Sequence, residues 1–446
     1  MRRALATVSR ALDVDPPHVA VTGPEDALPG PFRVTDAATA TVAAATSAAA
    51  ELLRARGIDP GPISVDTRHA ATAFRSEQHV AVDGRQDWEL WAPLSGLYRA
   101  ADGWVRLHGN YPHHASAACR ALGVTEDRSA VEAEVARWAA WDVQEAVIAE
   151  GGAAAAVRTA EQWATHPQGH AVRDAPLIGI DRLGDAPAAP LPPGDRPLAG
   201  VRVVELTHVI AGPVAGRVLA AHGADVLHIG AAHLPDLPPV VADTGFGKRS
   251  AHLDLRAEQD RDRLRGLISQ ADVVLHSYRP GALDAKGFDA ATLAALRPGI
   301  VSVALSAYGW RGPWATRRGF DSLVQCATGI AAECGTVTRP AALPAQALDH
   351  ATGWLAAAAA MTLLHRRTRE GGSWRARLAL AHTAAWLDSL GRTAGADVAP
   401  HDDLLTETPS AIGTVTHVRM PGTVPAAPPR WTHGPHAAGA DPAAWW

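Results

Sequence analysis

Histidines are the residues whose type and spacing first suggest chemistry in this sequence. His108, His113 and His114 lie close together along the chain, and imidazoles can bind a metal ion or move a proton. No cysteine or carboxylate accompanies them at a spacing typical of metal ligands. We therefore expect surface or hydrogen-bonded histidines rather than a metal centre, and the sequence predicts no metal site.

Asp349 is a second candidate, because it opens an alanine-rich stretch whose composition predicts a helix. A carboxylate can act as a nucleophile. It can also cap a helix by accepting hydrogen bonds from the free N–H groups of the first turn. On the residues alone, the capping interpretation of Asp349 prevails.

Short apolar runs separated by helical patterns must position such residues. The runs cover residues 201–206, 224–229, 272–275 and 300–305 and are rich in Val, Ile and Leu. Runs of this kind are typical of buried parallel strands joined by crossover helices. The sequence therefore predicts an α/β fold with a doubly wound, mostly parallel sheet. Its ligand should lie at the carboxyl ends of the strands.

The first loop of this sheet does not match a dinucleotide site. Gly212 and Gly216 are four positions apart with Pro213 between them, so they do not form G-x-G-x-x-G. Asp225 begins the second apolar run, whereas an acidic residue that binds the ribose would end it. A Walker motif, a serine elbow and a zinc signature are also missing from the sequence. Coenzyme A remains as a candidate ligand among the common nucleotide carriers.

Composition excludes several classes of partner. The net charge of −5 gives no general attraction to nucleic acid or to an anionic membrane. Three cysteines form no disulfide framework and fit a reducing compartment. The longest apolar helical stretch, residues 354–364, is too short to span a bilayer. We expect a cytoplasmic protein without nucleic-acid or membrane partners.

Four segments are predicted along the chain. Residues 79–185 are rich in Trp and His, and residues 98–107 read as a hairpin with its turn at Asp102 and Gly103. This segment is predicted to form a smaller α+β domain. Residues 186–197 are rich in Pro and Ala and form a linker. Residues 198–446 hold the sheet domain.

The remaining segment, residues 1–78, echoes part of the sheet domain. The stretch from Asp36 to Arg56 resembles the stretch from Asp349 to Arg367, and the residues that follow the first stretch resemble those that follow the second. Alanine-rich helices can resemble one another by chance. The shared Asp and the similar continuation nevertheless favour a partial duplication, with Asp36 as a relic.

Several motifs resemble one family, the class III coenzyme A transferases (CaiB/BaiF family). They occur in order from residue 198 to about residue 390. They are residues 198–213 (LAGVRVVELTHVIAGP), 222–226 (HGADV), 247–255 (GKRSAHLDL), 278–283 (YRPGAL), 293–300 (LAALRPGI), 306–313 (SAYGWRGP) and 318–325 (RGFDSLVQ). Ordered motifs at matching intervals are far more specific than any single one. The resemblance implies a Rossmann-like domain.

The resemblance also reverses the interpretation of Asp349, which matches the family's nucleophile. A carboxylate that attacks a thioester gives a mixed anhydride of similar energy, and the released thiolate then forms an aspartyl-CoA thioester. The helix N-terminus would stabilise the carboxylate and offer N–H groups to oxyanions. Coenzyme A enters as a thioester substrate, so no separate cofactor is expected. The substrates are an acyl-CoA and a carboxylic acid.

Further residues are implied to contact the acyl-CoA by the same resemblance. The first-strand loop should lie against the coenzyme, Arg318 near its phosphates, and Gln325 near the thioester oxygen. The complete set of implied binding residues is His208, Val209, Lys248, Arg249, Tyr278, Arg318 and Gln325. For each charged residue a solvated surface position is the alternative.

Two departures from the family pattern stand out. The second strand usually ends in a Lys-Val-Glu-Pro type of sequence, and here residues 228–232 read HIGAA. The small domain usually follows the sheet domain, and here it precedes it. The family forms interlocked dimers, and we expect this protein to be a homodimer as well. The changed segment order would allow an ordinary two-fold dimer in place of an interlocked one.

Two other functions compete with coenzyme A transfer. Racemases of this fold typically carry Gly-His-Asp, whereas this chain has Gly319-Phe320-Asp321. Because Phe320 cannot carry a proton, transfer is favoured over 2-methylacyl-CoA racemization. A non-catalytic acyl-CoA-binding protein is the third possibility. The retained Asp349 and Gln325 argue against it.

Overall fold

The structure is a computed structural model that describes residues 1–234 and 236–445 of the chain. The elements of its first part alternate irregularly between short strands and helices. They are α1 (Arg2–Leu12), β1 (Ala20–Thr22), α2 (Val34–Ala55), β2 (Ser64–Asp66), α3 (Thr67–Ala73), α4 (Ser76–His79), β3 (Ala81–Val82), β4 (Gly96–Arg99), β5 (Trp104–Leu107), α5 (Pro112–Leu122), α6 (Arg128–Val135), α7 (Ala140–Ala149), β6 (Ala154–Ala156), α8 (Ala160–Thr165), α9 (Pro167–Arg173) and β7 (Ile178–Gly184).

The second part alternates strands and helices regularly until its last hairpin. Its elements are β8 (Arg202–Leu206), α10 (Ala211–Ala221), β9 (Asp225–Gly230), α11 (Pro238–Thr244), β10 (Lys248–His252), α12 (Glu258–Ile268), β11 (Val273–His276), α13 (Ala290–Leu296), β12 (Val301–Ser306), α14 (Asp321–Ala327), α15 (Ile330–Cys334), α16 (Ala347–Glu370), β13 (Ser373–Ala379), α17 (Leu380–Ser389), β14 (Leu405–Ser410) and β15 (Gly413–Val418). Short 3-10 helices span Asp284–Lys286 and Asp402–Leu404.

A seven-stranded sheet forms the centre of the protein, in the order β10-β9-β8-β11-β12-β13-β7. Every pair is parallel except β13 with β7. The four predicted strands correspond to β8, β9, β11 and β12, so the α/β prediction is confirmed. Strands in the middle of the sheet are buried on both faces, which explains their continuous Val- and Leu-rich runs.

The structure corrects one boundary of the predicted small domain. Strand β7 falls within the predicted segment 79–185, yet it pairs antiparallel with β13 and completes the large sheet. The part of the segment before β7 has its own three-stranded sheet, β4-β5-β6. Its first two strands form the predicted hairpin, with Arg99 opposite Trp104. Strand β3 instead joins the C-terminal hairpin of β14 and β15.

The two helices of the predicted repeat pack against one another. Helix α2 and helix α16 are almost entirely buried, and both belong to the same hydrophobic cluster. Their facing surfaces are largely alanine, and small side chains allow two backbones to approach closely. The N-terminal segment is therefore an integral part of the core beside the helix that carries Asp349.

Helix α16 also approaches α10 very closely, and Gly353 makes this contact possible. A Cβ atom at Gly353 would lie 2.4 Å from the carbonyl oxygen of Ala211 and 3.0 Å from Val214. We expect Gly353→Ala to lower the free energy of unfolding by about 1–3 kcal/mol, because the two helices must separate. Thermal unfolding of the variant measures this effect.

Gly266 provides the matched control for Gly353. It lies on the exposed side of α12, and a Cβ there would meet nothing within 4 Å. Alanine favours a helix over glycine by about 1 kcal/mol, so Gly266→Ala should leave the melting temperature unchanged or raise it. Equal melting temperatures for the two variants would contradict the close-packing argument.

None of the helices within residues 1–234 and 236–445 has the length and apolar character needed to cross a membrane. The same residues contain no cluster of three or more His, Cys, Asp or Glu side chains arranged to hold a metal ion.

Candidate active site

A cavity of about 410 Å³ lies where the central strands end. Leu206, Ser277 and Ser306 line it at the carboxyl ends of β8, β11 and β12. Asp349 from the first turn of α16 and Tyr111 from the small domain complete its walls. The size is within the range of ligand pockets, and the position agrees with the rule for doubly wound sheets.

The loop after β8 forms one wall through His208 and Val209. Val209 has a φ of 68°, a left-handed conformation that a β-branched residue rarely adopts. Such strain persists where the surroundings enforce it, and it is typical of functional sites. The loop is also tightly packed at Gly212, because a Cβ there would lie 2.3 Å from Thr207.

Asp349 lines the cavity but does not itself cap the helix. Asp321 provides that function from α14, since its Oδ2 accepts hydrogen bonds from the backbone N–H groups of Leu348 (2.8 Å) and Asp349 (2.9 Å). The expectation that the helix N-terminus offers N–H groups to an oxyanion therefore needs correction. These two donors already bind a carboxylate.

Gln325 supports Asp321 and lies outside the lining of the cavity. Its Nε2 donates to Oδ1 of Asp321, and its Oε1 accepts from the backbone N–H of Leu343 at 2.8 Å. Both ends of the amide are thus engaged in the protein interior. The structure assigns Gln325 to holding Asp321, in place of the predicted contact with a thioester oxygen.

Three carboxylates crowd the first turn of α16. Burial raises the pKa of Asp349 well above its usual value, and the negative charges of Asp321 and Glu77 raise it further. Burial also raises the pKa of Asp321 to about 6. Glu77 comes from α4 and pairs with Nε2 of His350 at 2.9 Å. The arrangement makes Asp349 a carboxylate that retains its proton unusually strongly.

Cationic side chains line the same cavity. Arg318 lies in the wall, and its Nη1 donates to the carbonyl oxygens of Gly151 and Gly152. Tyr278 lines the cavity together with its neighbour Arg279. Positive charge at this place suits an anionic substrate such as a coenzyme A thioester.

Lys248 and Arg249 lie outside the lining of this cavity, contrary to expectation. Nζ of Lys248 is buried at 2.8 Å from Glu205 and also donates to the carbonyl oxygen of Pro213. Nη2 of Arg249 lies 2.8 Å from Asp225. Each charge is compensated inside the sheet domain, so we assign both residues to the structure of strand β10.

A chain of alternating charges begins in the cavity wall at His208. Nδ1 of His208 lies 2.8 Å from Asp236, whose other oxygen lies 3.1 Å from Nε2 of His228. Nδ1 of His228 is 3.3 Å from Glu205, the partner of Lys248. Burial alone would lower the pKa of His228, but its hydrogen bonds to the two carboxylates outweigh burial and raise it to about 9.

His108 and His114 of the small domain are buried, whereas His113 between them is exposed. His114 lines the cavity beside His113, and His108 stacks flat on Phe320 with ring centroids 3.6 Å apart. Burial lowers the pKa of His108 and of His114 to about 3. Both imidazoles are therefore neutral near pH 7, and their main contacts are aromatic.

Asp36 occupies the repeat position of Asp349 but has different surroundings. Its carboxylate pairs with the amino group of Met1 at 2.9 Å and with Arg33 at 3.5 Å. It lies outside the cavity lining. The relic interpretation of Asp36 stays a prediction, and the ion pairs give it a physical basis.

Sequence reasoning missed Glu77, Asp236 and the role of Asp321. Asp321 was visible within the motif at residues 318–325, and the altered ending of the second strand could have drawn attention to His228. Glu77 had no local signal, because it reaches α16 through the folding of a distant segment.

Comparison with known proteins identifies the family. The family model for CoA-transferase family III matches residues 18–188 and 198–403, which together make up most of the chain. The chain belongs to CoA-transferase family III. It is thus a class III CoA-transferase, and the two matched segments meet close to the predicted linker.

Named relatives of this CoA-transferase come from fungi and bacteria. An acyl-CoA transferase of Gibberella moniliformis is 30% identical over 81% of this chain and 72% of its own length. The acetyl-coenzyme A transferase nodX of Hypoxylon pulicicidum is 37% identical over 46% of this chain and 35% of its own length. A formyl-CoA:oxalate CoA-transferase of Streptomyces coelicolor is 31% identical over 42% of this chain and 48% of its own length.

Solved structures also align with part of the chain. A CAIB/BAIF family protein from Brucella suis aligns with 50% of this chain and 65% of its own, at 25% identity and a TM-score of 0.39. A hypothetical protein from Mycobacterium tuberculosis aligns with 44% of this chain and 58% of its own, at 32% identity and a TM-score of 0.42.

Proposed function

We propose that this transferase moves coenzyme A from an acyl-CoA to a carboxylic acid through covalent intermediates on Asp349. The carboxylate attacks the thioester carbonyl, and the C–S bond breaks to give a mixed anhydride and a thiolate. The thiolate attacks the Asp349 carbonyl and releases the donor acid. The acceptor carboxylate then attacks the aspartyl-CoA thioester, and the returning thiolate gives the new acyl-CoA and free Asp349.

The placement of Asp349 carries this proposal. Its carboxylate lines the cavity at the strand ends and has no ion-pair partner in the described part of the chain. A nucleophile must keep its lone pairs available, and an ion pair would hold them. Asp36, at the equivalent helix position, is ion-paired instead. The contrast favours Asp349 as the reacting group.

Chemical trapping tests the proposed intermediate. We expect the enzyme, incubated with succinyl-, acetyl- or longer-chain CoA thioesters and quenched with hydroxylamine or borohydride, to carry a modification on the Asp349 peptide alone. Intact-mass and peptide mass spectrometry locate the modification. The Asp349→Asn variant serves as the control and should remain unmodified.

Other outcomes of the trapping experiment would favour the competing functions. Tight binding of coenzyme A in calorimetry without any adduct would indicate an acyl-CoA-binding protein. Exchange of the α-proton in deuterated water without an adduct would indicate a racemase. The cavity argues against racemization, since Phe320 carries no proton and His114, with a pKa lowered by burial to about 3, is a weak base.

Three further properties belong to the proposal. We infer a homodimer, a cytoplasmic location, and a reaction that uses coenzyme A as a substrate without a separate cofactor. The predicted coenzyme contacts of His208, Val209, Tyr278 and Arg318 are supported by their position in the cavity lining.

A further inference from the structure

His208 has one ring nitrogen bound within the protein and one that remains accessible. Nδ1 is bound to Asp236 at 2.8 Å, and the side chain is 25% exposed in the lining of the cavity. A carboxylate bound to Nδ1 fixes the orientation and tautomer of an imidazole and stabilises its protonated form. Nε2 of His208 is thus held ready to donate to a group in the cavity.

The partner of His208 is itself held firmly. Asp236 receives a second hydrogen bond from His228 at 3.1 Å, and His228 reaches Glu205 at 3.3 Å. Glu205 in turn pairs with Lys248 at 2.8 Å. Because positive and negative groups alternate and are mostly buried, displacement of one would leave another uncompensated. Asp236 therefore has little freedom to leave His208.

The proposed transfer creates an anion that needs a hydrogen-bond donor in this cavity. When Asp349 attacks the thioester, the electron pair of the C–S bond leaves on sulfur. A thiolate next to a protonated histidine is stabilised, which makes it a better leaving group. Asp349 and His208 line the same cavity, so one bound thioester can lie between them.

We propose that His208 is a further catalytic residue that binds the coenzyme A sulfur as it leaves, and that Asp236 and His228 position it. This inference rests on the proposed function. Protonated His208 donates from Nε2 to the thiolate without net proton transfer. The thiolate then attacks the Asp349 carbonyl, and the donor acid leaves as a carboxylate. The hydrogen bond keeps the sulfur close for that return.

Charged and polar groups surround His208. Asp236 faces it from the segment after β9, the ring of His228 faces it from β9 itself, and Tyr278 and Lys286 line the same cavity. Asp236→Asn keeps the shape of the side chain but removes the negative charge beside Nδ1, so the hydrogen bond that Nε2 of His208 donates to a thiolate becomes weaker.

The test measures the rate of Asp349 modification by an acyl-CoA in rapid-quench experiments. We expect Asp236→Asn to slow this step by roughly 100-fold, with little change in KM. His208→Gln should slow the step similarly.

Asp441→Asn is the matched control, because Asp441 also binds a histidine, His436, at 2.8 Å, outside the main cavity. Its rate should match that of the wild type. An Asp349 adduct that forms at wild-type rates in the His208 and Asp236 variants would overturn this inference and leave the proposed function intact. Absence of an adduct in the wild type would overturn the proposed function itself.

Discussion

Asp349→Asn is expected to reduce kcat by about 10⁴-fold or more, because an amide cannot form the anhydride and both covalent intermediates disappear. Residual activity would reflect only substrates held side by side in the cavity. Steady-state transfer from an acyl-CoA to an acceptor acid, followed by chromatography of both thioesters, measures the loss. KM for the acyl-CoA should change little, since coenzyme binding depends on other groups.

The same substitution should stabilise the protein. The folded-state pKa of Asp349 is raised by burial and by Asp321 and Glu77, so the folded chain binds this proton more tightly than the unfolded chain does. Stability is therefore lost as pH rises from the unfolded-state pKa through the folded-state pKa. Above that window the wild type bears the full penalty. Asp349→Asn removes it, and its melting temperature should exceed that of the wild type.

Asp36→Asn is the control, since it alters the repeat-related helix outside the cavity. It should retain wild-type kcat and, because it breaks the pair with Arg33, should gain no stability. Equal losses of activity in the two variants, or a lower melting temperature for Asp349→Asn, would contradict the assignment of Asp349. Together the two measurements separate loss of the nucleophile from damage to the fold.

The sequence could predict the sheet and the place of Asp349 in the first turn of a helix because their signals are local. Strands β8, β9, β11 and β12 are continuous apolar runs, and Asp349 begins a helix within ordered motifs. A motif also shows which residues are near a site, but it does not show where their side chains point. Lys248 and Arg249 illustrate this point, since both side chains find acidic partners within the sheet domain.

Residues that act from a distance could not be predicted. Glu77 lies in α4 of the N-terminal segment. It reaches His350 only because this segment packs beside α16 through helix α2. Asp236 follows a strand ending that departs from the family pattern, so the resemblance gave it no role. In both cases the information lies in packing between segments, whereas periodicity and motifs describe a single segment.

The N-terminal segment consequently contributes to the site as well as to the core. It was expected to be a relic of duplication, and its own Asp36 is neutralised by ion pairs. Yet its Glu77 places a negative charge close enough to raise the pKa of Asp349. The second family-matched segment holds Asp349, and the first adjusts its electrostatics.

Removal of either neighbouring negative charge should make Asp349 ionise more readily. Asp321→Asn and Glu77→Gln each lower the pKa of Asp349, because a like charge near a carboxylate favours its protonated form. Since only the ionised carboxylate attacks, kcat/KM falls on the acid side as Asp349 gains its proton. We expect the acid limb to move to lower pH in Asp321→Asn, and to move less in Glu77→Gln.

The order of these two shifts is informative, because Asp321 has the larger electrostatic influence on Asp349 and Glu77 is partly neutralised by His350. Asp243→Asn is the control: Asp243 is also buried, but it pairs with Arg217 at 2.6 Å and lies outside the cavity lining. It should lose stability and keep the wild-type acid limb. If all three variants retained that limb, the group that titrates there would not be Asp349. A shift in the first two alone would show that the nucleophile is tuned by α14 and by the N-terminal segment together.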